Sequence, residues 1–255
     1  MPPLWHSCAY HRAVTFGVVA VSILIVAMAS CSQTISGFGF TLVSVPLLAT
    51  VMPPLQAVSL AILISTPLAI IRSRREWKDV HWPSAKRLGL ASLTGMPIGV
   101  AISSHLPDRP LRLIIGVAVA IAGAALATGF RIRSESPSVD LIAGFVSGVL
   151  ATTTGTNGPP LVIAMHSRRV APVIFRATLV LVYLFTNVVS LALFWHYGRL
   201  NGNAVKLTGI TFLPMVLGNV VGTWLVPKVD DQLFHRLILG LLFLSAGSAI
   251  YGAFR

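Results

Sequence analysis

Acidic residues are scarce in this chain: 7 Asp and Glu stand against 19 Lys and Arg among 255 residues, and charged residues of both signs make up only 10%. A water-soluble domain needs far more polar surface. With 55% hydrophobic residues and a mean hydropathy of +0.83, the composition describes an integral membrane protein. The few acids fall in loops, apart from Asp140 at the edge of a span, which argues against a carboxylate proton relay of the common kind. Cysteine is scarcer still. Cys8 and Cys31 are not in metal-ligand spacing and form no disulfide framework, and Cys31 reads as a small apolar residue in a helix. There is no HExxH or GxSxG signature and no nucleotide-binding motif, and the histidines are scattered, mostly in loops. An enzyme is disfavoured, ATP-driven transport would need a partner protein, and neither a metal nor a cofactor is expected. The excess of basic residues lies in short loops between apolar spans, where membrane topology explains it better than nucleic-acid binding.

What is present in abundance is apolar sequence long enough to cross a bilayer. Residues 13–30, 55–71, 88–106, 111–129, 177–195, 207–226 and 236–254 read as spans, the fourth of these following a turn at Leu106–Pro110 and the third interrupted at Met96–Pro97. The first is read as a retained helix rather than a cleaved signal peptide. The stretch from Arg72 to Arg87 is the most charged in the chain and, with Trp77 and Trp82 suited to an interface, reads as a cytoplasmic loop. The expected organisation is a short N-terminal tail at 1–12, a first transmembrane repeat at 13–130, a linker at 131–138 and a second repeat at 139–255.

Two polar stretches break this pattern. The first, Ser32 to Phe40 (SQTISGFGF), leads into an apolar segment with Pro46 inside; the second, Ala151 to Pro160 (ATTTGTNGPP), leads into LVIAM. Proline lacks the backbone donor and pushes the preceding residue away from helical geometry, so Pro46, Pro159 and Pro160 are read as structural helix breaks. An exposed turn would also explain the second stretch. A break at membrane depth would instead turn freed backbone groups and hydroxyls towards a polar cavity. On that reading the candidate substrate-binding groups are Gln33, Thr34, Ser36, Gly37, Gly39 and Thr41 from the first break and Thr153, Thr154, Gly155, Thr156, Asn157 and Gly158 from the second. Helix N-termini supply N–H groups for a compact anion, and glycines let it approach the backbone. Each hydroxyl also has a structural alternative, bonded to its own helix. Arg176 and Asn187 complete the set, with snorkelling to the interface and interhelical hydrogen bonding as their respective alternatives.

The two halves share the order of break, span, charged loop, span, acidic turn and span, and LRLIIG (111–116) matches HRLILG (235–240). The expected fold is therefore all-α: a polytopic membrane protein of about 8–10 transmembrane segments, built as two repeats, each with a Gly/Pro-rich broken or re-entrant helix. Inversion of the repeats is favoured, with both termini outside, although the distribution of basic residues fits either path through the breaks.

The segments SGFGFTLVSVPLL (36–48) and SGVLATTTGTNGPPLV (147–162), with FRATL at 175–179 and Asn187, resemble the TauE/SafE family of membrane transporters over nearly the whole chain. Where many members carry a fuller GxGGG run, this chain has GFGF and GTNG. The resemblance implies a secondary permease, with the lipid bilayer as its surroundings and a small anion as its partner. Its cargo would be a sulfur-containing anion such as sulfite, a sulfonate or sulfoacetate, exported across the inner membrane by a multi-pass protein. Uptake, another small anion, a homo-oligomeric assembly and a non-transport scaffold stay open at this point.

Overall fold

A computed structural model describes residues 16–36, 39–128, 136–166, 168, 170–200, 202–225 and 231–254, and among them there is helix and no strand. The first half comprises α1 (Phe16–Ser36), α2 (Phe40–Val51), α3 (Pro54–Glu76), α4 (Trp82–His105) and α5 (Asp108–Ala127). The second comprises α6 (Pro137–Thr153), α7 (Gly158–His166), α8 (Pro172–His196), α9 (Gly202–Leu225) and α10 (Asp231–Phe254). The 1–12 tail and most of the 131–138 linker lie outside the described residues. Proline sets many of the helix starts: α3, α4, α6 and α8 each carry it in the first turn, where its missing N–H costs no intrahelical bond.

Four described helices are long and apolar enough to cross a bilayer: Phe16–Thr34, Pro54–Asp79, Pro172–His196 and Gly202–Leu225. The protein is a polytopic all-α membrane protein. Leu90 on α4, Trp195 on α8 and Leu213 and Trp224 on α9 are exposed, as residues facing hydrocarbon would be. The short helices behave in the opposite way. α2 buries eight of its 12 residues, and α7 buries Pro159, Leu161, Val162, Ala164 and Met165. Backbone that departs from a continuous helix is thus enclosed by protein, the condition under which a bilayer tolerates it.

Helix pairing follows a regular scheme. α4 packs along α6, α1 along α9, α5 along α10 and α3 along α8. Exchanging the first five helices for the second five in order maps α4–α6 onto α1–α9 and leaves the other two pairs as themselves. Small residues make the closest contacts. A Cβ added at Gly148 would lie 2.0 Å from the Ser92 carbonyl oxygen, one at Gly95 2.2 Å from that of Phe145, and one at Gly99 2.3 Å from that of Val149. Gly218 on α9 meets Ala27 of α1 in the same way, at 2.3 Å. Without a hydrophobic drive between helices in lipid, such backbone approach and the hydrogen bonds it allows hold the pair together. Ser92 Oγ donates to Gly144 O at 3.0 Å, Thr152 Oγ1 to Met96 O at 2.8 Å, and Ser30 Oγ to Met215 O at 2.7 Å across α1–α9.

Two sequence expectations change here. Pro46, read as a helix break, lies inside α2, which runs continuously from Phe40 to Val51. The span at 88–106 is not interrupted at Met96–Pro97: α4 runs continuously from Trp82 to His105 with Pro97 inside, held against α6 on both sides of the proline through Gly95 and Gly99. Asp140 does stand at the edge of a span, in the first turn of α6, and it is fully buried there. Arg168 donates to it through Nε at 3.3 Å and Nη2 at 2.6 Å, and the Arg87 guanidinium lies 3.8 Å away. The negative charge is therefore neutralised by cations from α4 and from the connection between α7 and α8, which makes its burial affordable.

Candidate functional site at the two helix breaks

The first break turns on Gly39, whose φ of 98° places it in the left-handed region that glycine adopts without strain. α2 starts immediately after it with no side-chain cap, and its first ladder bond runs from Val43 N to Gly39 O. The N–H groups of the first turn of a helix have no intrahelical partner, and Gly39, Phe40, Thr41 and Leu42 all line one small cavity. The second break turns on Gly155, with φ 69°. A Cβ there would press on Val45 of α2 at 3.2 Å and Val58 of α3 at 3.3 Å, so the second break packs on the helix that follows the first. α7 then begins Gly158–Pro159–Pro160. The two prolines lack N–H groups, so α7 offers fewer backbone donors than α2.

The cavity has a volume of about 40 Å³, small beside a drug-sized pocket but larger than a single water requires. Its walls bring together Gln33, Gly39 and Thr41 from the first break, Asn157 and Gly158 from the second, and Asn187 from α8. Asn157 and Asn187 are buried and oriented. Asn157 Nδ2 donates to Thr186 Oγ1 at 2.9 Å, its carbonyl accepts from Ser147 Oγ at 2.9 Å, and Asn187 Nδ2 donates to Ser65 Oγ at 3.1 Å. Two wall atoms are buried and have no hydrogen-bond partner, Gln33 Oε1 and Tyr183 Oη. Buried polar atoms are nearly always satisfied, so these two mark a place where a polar group from outside the chain would fit.

The other candidate residues sit elsewhere. Thr153 donates to Val149 O at 2.6 Å and to Gly99 O at 3.3 Å, which places it in the α4–α6 contact. Thr154 and Thr156 bond each other through their hydroxyls at 2.6 Å and shape the turn at Gly155. None of these three lines the cavity, nor does Gly155. Thr34 and Arg176 border a second, wider space of about 380 Å³ next to it, together with Glu76. Arg176 is exposed there and donates to Pro172 O of its own helix at 3.3 Å. Gly37 lies outside the described residues, and of Ser36 only the backbone, ending α1, is described.

Sequence reading missed three polar wall residues: Arg72, Tyr183 and Ser65. Arg72 was placed in a charged loop, but α3 extends to Glu76 and carries it inward. It borders both the small cavity and the wider vestibule, and its guanidinium donates to Thr34 Oγ1 at 3.4 Å. The signal was available: Ser65, Leu68, Ala69 and Arg72 follow helical spacing and all face the cavity.

Amide groups, a phenol, a guanidinium and a free helix N-terminus around a small space can hold a compact oxyanion. No nucleophile stands beside a base in this lining, and the described residues contain no group of three or more His, Cys, Asp or Glu able to hold a metal. No curated protein and no solved structure matches the chain. The family model described as sulfite exporter TauE/SafE matches residues 22–249, most of the chain and both breaks, and the protein belongs to the TauE/SafE family of membrane sulfur-anion transporters.

Proposed function

We propose that this chain is a secondary transporter that exports small sulfur-containing anions, such as sulfite, sulfonates or sulfoacetate, across the inner membrane, and that its substrate site is the cavity where the two helix breaks meet. The observation that carries this reading is the convergence of both breaks on one small cavity. Gln33, Gly39 and Thr41 arrive from one half of the chain and Asn157, Gly158 and Asn187 from the other, with buried polar atoms left unsatisfied between them. Discontinuous helices whose N-termini face a midplane cavity are the arrangement by which many secondary transporters bind anions.

The same reading takes the halves as inverted repeats that rock about this cavity. The repeat relation between the halves is supported by the exchange of the α4–α6 and α1–α9 pairs, and by the small-residue contacts that both pairs use. Small-residue contacts let two helices move as one body while the cavity opens to one side and then the other.

The test is efflux from proteoliposomes loaded in turn with sulfite, sulfoacetate and an alkyl sulfonate, under imposed pH and voltage gradients. Wild-type protein carries at least one of them, and Asn157→Leu at equal abundance does not. Absence of flux for all three contradicts the substrate class. Reporter fusions at the two termini should place both outside if the repeats are inverted.

A further inference from the structure

The cavity lining contains one charged side chain, Arg72, and no carboxylate; every other wall residue is neutral. We propose that Arg72 is the sole formal countercharge of the site, and that the site consequently selects monoanions over dianions of similar size. This rests on the reading of the cavity as the substrate site.

Charge balance decides which anion this small cavity can hold. Among the described residues Arg72 has no carboxylate within ion-pair distance; its guanidinium donates one long hydrogen bond, to Thr34 Oγ1 at 3.4 Å. A guanidinium carries five N–H donors, and Arg72 lines both the cavity and the vestibule. A guanidinium presents paired donors that match two oxygens of a sulfonate or sulfite group, which a hydroxyl or amide cannot do. One bound negative charge is then neutralised. A second would be left buried against neutral amides and a helix N-terminus, whose partial charge offsets only a fraction of the cost of taking an ion out of water. α7 adds little to that offset, because Pro159 and Pro160 remove two of its leading N–H donors.

The vestibule leads to the same result. It is bordered by Arg72, Arg176 and Glu76, two cations and one carboxylate, so it too carries a single net positive charge. Arg74, Arg75 and Lys78 stand nearby in sequence but are exposed, where ionic screening weakens them, and they do not line either space. Among the proposed cargoes, hydrogen sulfite and simple sulfonates therefore rank above sulfoacetate, which carries a carboxylate in addition to its sulfonate.

Methanesulfonate and sulfate are near-isosteric and differ in charge, which makes them the probes. Binding of each to the purified wild-type protein is measured by calorimetry at fixed pH and ionic strength, with flux of each in proteoliposomes alongside. Wild type should bind methanesulfonate more tightly than sulfate by about tenfold or more. Arg72→Gln should weaken methanesulfonate by about 10- to 100-fold, the range for a hydrogen bond to a charged group. Arg72→Lys, which keeps the charge and loses the fork, should bind more weakly and still prefer methanesulfonate, and it serves if Arg72→Gln does not fold. Sulfate bound as tightly as methanesulfonate by wild type, or Arg72→Gln binding like wild type, overturns the inference while leaving the transporter reading intact. A wild-type protein that neither binds nor carries any sulfur oxyanion overturns both.

Discussion

Gly148→Ala should destabilise the protein severely for a single added methyl group. The new Cβ would sit 2.0 Å from the Ser92 carbonyl oxygen and 2.8 Å from Ser92 Cα, both on the backbone of α4. A comfortable non-bonded contact is roughly 3.5 Å, so the two helices must part by about 1–1.5 Å at this point. Overpacking of this kind costs about 1–3 kcal/mol. Separation also stretches the bond from Ser92 Oγ to Gly144 O, now 3.0 Å, worth a further ~0.5–1.5 kcal/mol. The expected loss is about 1.5–4.5 kcal/mol in all. Thermal unfolding in detergent, followed by intrinsic tryptophan fluorescence, measures it. Gly209→Ala is the control: nothing lies within 4 Å of its added Cβ, so it should be neutral or gain up to ~1 kcal/mol from helix propensity. Transport should fall with Gly148→Ala as well, since Ser147 next to it holds the Asn157 carbonyl. Equal melting temperatures for the two variants would refute the assignment of α4–α6 as a backbone-to-backbone contact.

Other substitutions probe the site and its supports. Asp140→Asn removes the countercharge of Arg168 and Arg87 and should cost about 3–5 kcal/mol, read as a lowered melting temperature and lower membrane abundance. Gly155→Ala places a side chain at φ 69° and against Val45 and Val58, and should cost at least ~1–2 kcal/mol with reduced flux. Asn187→Leu should abolish flux while leaving the melting temperature nearly unchanged, since it loses one hydrogen bond at 3.1 Å to Ser65; a large drop in stability would instead assign Asn187 to helix packing.

The breaks were legible because proline and glycine act locally. Gly39 and Gly155 turn the chain wherever the rest of the fold is, and Pro159–Pro160 start α7 as they would start any helix. The threonines were less legible. In sequence they form one polar cluster, but a hydroxyl can bond its own helix or a neighbour, and Thr152, Thr153 and Thr154 use theirs for α4 contacts or for carbonyls one turn back. Whether a hydroxyl faces a cavity depends on which helix packs beside it, and that is a long-range fact. Arg72 was hidden by its company: a run of basic residues reads as a loop, while the apolar periodicity that carries α3 through it spans the preceding turns. Asp140 was hidden for the same reason as the threonines, since its partners Arg87 and Arg168 are far from it in sequence. The small-residue spacing of Gly95–Gly99, Gly144–Gly148 and Gly218–Gly222 is visible in the sequence and does predict close helix pairs, though not which helix each will meet.

The most direct test of a single site built from both breaks is sulfite efflux from proteoliposomes containing wild type, Gln33→Leu, Asn157→Leu or the double variant at matched abundance. Because the two side chains line one cavity, either substitution alone should abolish most of the flux, and the double variant should be no worse than the more severe single. Wild-type flux in either single variant would remove that break from the site and contradict the account.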